Sequence, residues 1–108
     1  MDNLIEFIKN TLNIPYIEEN EAVMDGCFCL SPYTSTGLSG NGQITSVTNY
    51  YAIDIFYEDK KIAVAQSIKL WKELNSQNNY CSQSPDYTYE QGAEMWHAVV
   101  RAQEVIND

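Results

Sequence analysis

Basic residues are scarce in this chain: six Lys and Arg stand against fifteen Asp and Glu, for a formal net charge of −9 and a pI near 4.3. Neutralising phosphates requires clustered cations that displace counterions, and Lys60–Lys61 is the only basic pair. The balance therefore argues against nucleic acid or an anionic membrane as partner. Long apolar runs are missing too, since no stretch approaches the roughly 18 residues of a membrane span. The first residues, MDNLIEFIKN, have neither the basic region nor the apolar run of a secretory leader. With three cysteines, an odd number, free thiols in a reducing cytoplasm are the expectation.

Catalytic signatures are equally sparse. A Ser–His–Asp or Cys–His arrangement would have to be built on His97, the one histidine, and no nucleophile-elbow or papain-like context surrounds any Ser or Cys. The glycines Gly37, Gly40 and Gly42 lack the lysine and the preceding strand of a phosphate cradle. Cys27, Cys29, Cys81 and His97 could in principle form a Cys₃His zinc shell, two of them pointing the same way along a strand. The two-residue spacer of a zinc knuckle is absent, and buried free cysteines ordinarily act as small hydrophobes. The expectation is a non-enzymatic protein with no cofactor and no metal.

What is present is a foldable composition, 44% hydrophobic and 19% charged in 108 residues, the size of one domain. Residues 1–13 read as a helix capped by Asp2 or Asn3, with a stripe of Leu4, Ile5, Ile8 and Leu12, stopped by Pro15. An acidic turn follows at residues 18–21. Residues 22–30 read as a strand with Met24, Phe28 and Leu30 on one face and Cys27 and Cys29 on the other; Gly26 suggests a bulge or a close backbone approach. Residues 47–57 alternate most strongly, with Tyr51, Ile53, Ile55 and Tyr57 opposite Tyr50, Ala52, Asp54 and Phe56. Residues 59–76 read as a helix capped by Asp59, with Val64, Ser67, Ile68, Trp71 and Leu74 as its apolar face, widened by Ala63 and Leu70. Residues 77–92 fit a short strand and a turn. Residues 93–106 fit a strand with Trp96, Ala98, Val100 and Ala102 inward, although Met95, Val99, Ala102 and Ile106 also align as a helix.

Residues 31–49 (SPYTSTGLSGNGQITSVTN) stand apart. They hold four Ser, four Thr, three Gly and two Asn with no charge. Nineteen residues far exceed the usual connection of about 4–6. The segment is either a long loop or a protruding hairpin turning at Gly40-Asn41-Gly42, with residues 44–48 joining the next strand. The fold expected is α+β: a small mixed or antiparallel sheet packed against an N-terminal helix and a central amphipathic helix, with this loop or hairpin projecting from a single domain of residues 1–108.

The stretches NYYAIDIFYEDKKIAVAQSIKLWKEL and PDYTYEQGAEMWHAVVRAQEVI resemble the small tail-terminator, or tail-completion ("minor capsid"), proteins of long-tailed bacteriophages. The resemblance covers residues 49–106 and lies in the order of aromatic strand, amphipathic helix and Trp-bearing last strand. It implies a strand for the last segment, and a homo-oligomeric, typically hexameric ring in the virion tail or neck, assembled in the host bacterial cytoplasm. Such a ring caps the tail-tube protein at its head-proximal end, ends tube polymerisation and docks to the head–tail connector. It carries no catalytic residues over. Tyr33, Leu38, Asn41, Ile44, Tyr87 and Tyr89 are the candidate assembly contacts, because aromatic and neutral polar side chains give adaptable contact area. The competing reading is an acidic phage-encoded inhibitor of a host nucleic-acid-binding protein, which a dense ridge of unpaired carboxylates would favour; another head–tail connector component is the nearest confusion.

Overall fold

The computed structural model describes residues 2–18, 21–38, 44–77 and 81–107, with only the backbone described at 2, 32–38, 44–48, 81–82 and 104–107. The elements in chain order are α1 (Asp2–Leu12), β1 (Cys27–Leu38), β2 (Ile44–Tyr57), α2 (Lys60–Asn75), β3 (Cys81–Ser82), β4 (Asp86–Glu90) and β5 (Met95–Asn107). They form the expected α+β architecture, in which helices cover one face of an antiparallel sheet. The strand order is β1-β2-β5-β3, with β4 also on the outer edge of β5. The only parallel pairing among the described residues is an isolated bridge, Tyr16 to Phe28.

Register explains the core. Because side chains alternate along a strand, residues paired across strands share a face. Phe28, Ile55, Ala98 and Tyr87 make one row; Leu30, Ile53 and Val100 the next; Tyr51 pairs Ala102, and Tyr57 pairs Trp96 and then Tyr89. Phe28, Leu30, Ile53, Ile55, Ala98 and Val100 are all buried there, with Leu4, Ile8 and Leu12 of α1 and Ala63, Leu70 and Leu74 of α2 against them. Each fully buried Leu, Ile or Phe contributes about 1.5–3 kcal/mol, which makes these rows the main source of stability.

The helix ends follow from local chemistry. Asp59 accepts a hydrogen bond from the Lys61 N–H at 2.8 Å and so caps α2. Helix α1 stops because Asn13 adopts a left-handed φ of 57°, which asparagine tolerates, two residues before Pro15. The Gln66 amide then ties three elements together, its Nε2 donating to the Leu12 carbonyl at 3.0 Å and to the Tyr57 hydroxyl at 2.9 Å. Buried Ser67 meets the Tyr87 hydroxyl at 2.8 Å and donates to the Val64 carbonyl at 2.9 Å, fastening α2 to β4.

Four expectations need correction. The first strand begins at Cys27, not at residue 22, because Gly26 sits at φ +78° with its N–H on the Phe56 carbonyl and breaks the extended run. Met24 therefore lies outside the strand and is 47% exposed instead of joining the core. The buried line of α2 is Ala63, Ser67, Leu70 and Leu74, so the helix is rotated and Val64, Ile68 and Trp71 are only half-buried. A small residue at 63 and a hydroxyl at 67 let the helix approach the sheet closely, which the bulky residues beside them would prevent. Residues 77–92, expected as one short strand and a turn, carry two strands, β3 and β4. The last segment is a strand, with Trp96, Ala98, Val100 and Ala102 on the core side as expected.

The 31–49 segment is a hairpin in its described parts. β1 runs on to Leu38 and β2 starts at Ile44, paired from Ser31↔Ala52 to Leu38↔Ile44. β5 accompanies them, reaching Ser46↔Asn107. The Gly40-Asn41-Gly42 tip lies outside the described residues. The three strands thus continue beyond the helix-covered core as an arm. The dimensions reflect this: the molecule measures 50 × 27 × 22 Å, and its radius of gyration of 15.1 Å exceeds the ~13 Å of a compact chain this long.

Candidate interaction surfaces

The sheet face turned away from the helices holds the polar chemistry. Register places Cys27, Phe56, His97 and Thr88 in one row and Cys29, Asp54, Val99 and Asp86 in the next. His97 therefore sits beside Phe56 and diagonal to both Asp54 and Glu90, within reach of such side chains. Its Nε2 lies 2.6 Å from Asp54 Oδ1 and its Nδ1 lies 3.1 Å from Glu90 Oε1, while its ring stacks on Phe56 at 4.6 Å and 13°. The Asp54 hydrogen bond, chiefly, lifts the imidazole pKa above its ordinary value; Glu90 adds to this and burial opposes it. When both ring nitrogens are protonated, each N–H donates to a carboxylate, and His97 then staples β2, β5 and the end of β4 together. A ring held at both nitrogens is a poor general base. Four residues further along β5, Arg101 pairs with Asp86.

The cysteines on this face are packing residues. Cys27 and Cys29 form no disulfide and are buried, in a small cluster with Ile17 that Val23 and Phe56 flank. Burial pushes the Cys27 thiol up, and Cys29 Sγ contacts Asp54 Oδ2 at 3.8 Å, not the imidazole. The backbone of Cys81 pairs with Gln103, six residues along β5 from His97, about 20 Å at strand rise. The four candidate zinc ligands are therefore not brought together, and no metal-binding group occurs among the described residues.

A second surface lies at the opposite end of the sheet from the arm. Tyr89 is 44% exposed and stands edge-on to Trp96 at 5.4 Å, and Lys60 Nζ sits 4.7 Å above the Trp96 ring. A cation over an indole face is worth about 0.5–1 kcal/mol at exposed sites and holds the ring still.

Of the assembly residues expected from the sequence, Tyr89 is on this exposed corner. Tyr87 is half-buried against the core with its hydroxyl on Ser67. Tyr33 pairs with Tyr50, and Leu38 with Ile44, in the arm's backbone. Asn41 lies outside the described residues. The sequence reading missed Asp54 and Glu90 as partners of His97. The available signal is a lone acid among the apolar and aromatic residues of 50–57, but its pairing with β5 cannot be known without the register.

No protein-family model and no curated protein matches the chain.

Proposed function

We propose that this chain is an assembly protein of the phage tail-terminator kind, forming a ring at the head-proximal end of the tail tube, ending tube polymerisation and docking to the head–tail connector. The observation that carries the reading is the arm, a three-stranded extension continuous with the core sheet. It supplies contact area away from the body, uncharged along β1 and β2 from Ser31 to Asn49, as a subunit making ring and axial contacts needs. The exposed Tyr89–Trp96 corner at the other end is a second patch of interface composition.

The acid distribution favours assembly over phosphate mimicry. Asp54 and Glu90 hold His97, Asp86 holds Arg101, Asp59 caps α2, Asp25 accepts from the Glu58 N–H, and Glu21 accepts from the Glu18 N–H. Carboxylates engaged locally, on separate elements, do not make a ridge of free charge. The chain likewise offers a role without catalysis or a cofactor, its one histidine serving as a staple.

The test is excision of the arm. Because Thr34 pairs with Asn49, joining them through an Asn-Gly turn removes residues 35–48 in register. The variant should keep its melting temperature to within about 5 °C, roughly 1 kcal/mol at this size. It should lose binding to tail-tube ends, which the full chain is expected to show by negative-stain imaging. A full chain that decorates no tube ends would sink the reading, as would an excised chain that binds them equally well.

A further inference from the structure

We infer that the outer edge of β1 is a strand-addition site for a second copy of this chain, the two β1 strands pairing antiparallel across a two-fold axis at Thr34. The inference goes beyond the tail-terminator reading, because it concerns the free chain with no tube present.

The direction of the backbone groups follows from two hydrogen bonds. The Ile17 N–H donates to the Phe28 carbonyl at 2.8 Å, and the Phe28 N–H to the Pro15 carbonyl at 3.1 Å. Phe28 therefore turns both groups away from β2. By the period of two, Leu30, Pro32, Thr34 and Thr36 do the same, until the register shifts between Gly37 and Leu38. Among the described residues, the segment at 15–17 covers this edge only at Phe28. Beyond it, among the described residues, β1 pairs with β2 alone.

An edge of this kind is a template for another strand, and proteins ordinarily guard it with charge. Here that guard is missing: no Asp, Glu, Lys or Arg occurs from Gly26 to Ile53. In a chain of net charge −9, two copies repel wherever carboxylates approach, so this uncharged edge of β1 is where they meet at least electrostatic cost. Pro32 has no N–H to offer, as suits an outward position on an edge strand. Its carbonyl still accepts.

The register inferred uses these groups as follows. Thr34 facing its own copy exchanges two N–H···O bonds, and each Thr36 N–H donates to the Pro32 carbonyl opposite. Every outward donor from Thr34 to Thr36 is then satisfied, and the missing Pro32 donor costs one bond per half. Strand rise puts Cys27 about 23 Å from the axis, so the two bodies lie at opposite ends.

Cysteine cross-linking tests the register. In a Cys81→Ser background, with Cys27 and Cys29 buried, Thr34→Cys places two Cα atoms about 5.5 Å apart, inside disulfide range. Thr36→Cys leaves its copies four residues out of step, about 13 Å apart and too far to bridge. Under mild oxidation Thr34→Cys should give a covalent species of twice the 12.3 kDa chain mass, at least about tenfold faster than Thr36→Cys. Light scattering of the unmodified chain should show a monomer–dimer equilibrium that Thr34→Pro shifts to monomer, circular dichroism confirming that this variant is folded. Equal cross-linking at both positions overturns the inference, and so does a strict monomer at all concentrations. Either result leaves tube-end binding, measured separately, free to stand.

Discussion

Replacing His97 with glutamine should destabilise the protein by an amount that shrinks as pH rises. The side chain of His97 is 19% exposed, and those of its partners Asp54 and Glu90 are 20% and 44% exposed. A hydrogen bond to a charged group is worth about 1.5–3 kcal/mol, and the more exposed Glu90 bond is discounted for screening. Together they suggest a loss of about 2 kcal/mol at pH 6, or roughly 8–16 °C in melting temperature. The sign with pH follows from the direction of the shift. The folded-state pKa of His97 is raised, so the folded protein holds the proton where the unfolded chain has released it. The stability this contributes is complete below the unfolded value of about 6.5 and is lost as pH rises through the folded value. The slope in that window is at most about −1.4 kcal/mol per pH unit for one site. Urea titrations of both proteins from pH 6 to pH 9, followed by Trp fluorescence, would measure it. The gap between them should fall toward about 0.5 kcal/mol, the worth of the one neutral hydrogen bond that remains. A gap that stays constant or widens with pH would refute the doubly bonded imidazolium.

Two further predictions concern the fastenings of the fold. Gln66→Ala should cost about 1–2 kcal/mol by equilibrium unfolding, since it strands the Leu12 carbonyl and the Tyr57 hydroxyl together; a loss within 0.3 kcal/mol of zero would mean that water takes its place, on the order of experimental error. A double-mutant cycle of Ser67→Ala and Tyr87→Phe should give a coupling of about 0.5–1.5 kcal/mol, because their hydroxyls meet 2.8 Å apart; strict additivity would show that they do not interact.

Much of the fold is legible in the residues themselves. Period-two alternation at 51–57 and 96–102 fixes the core face of β2 and β5, because burial on one side admits only one register of side chains. Asp59 and Pro15 mark helix boundaries through local chemistry that needs no tertiary context. What escapes is whatever depends on a partner strand. The extent of β1 through an uncharged Ser/Thr run carries no core signal, since its pairing is made by backbone groups that every residue possesses. The rotation of α2 is set by how closely Ala63 and Ser67 let it approach the sheet, which periodicity alone does not weigh. The His97 staple is the clearest case: Asp54, Glu90 and His97 are far apart in sequence and meet only through the diagonal geometry of three paired strands. The tie of Tyr87 to Ser67 is hidden for the same reason, its hydroxyl partner lying on a helix twenty residues earlier.

Tube length under polymerisation tests the central claim most directly. Tail-tube protein assembled with the chain present should give shorter tubes, each closed at one end by a ring of added density and unable to elongate when fresh subunits are supplied. Tubes that grow to the same length with and without the chain, and that resume growth at both ends, would contradict it.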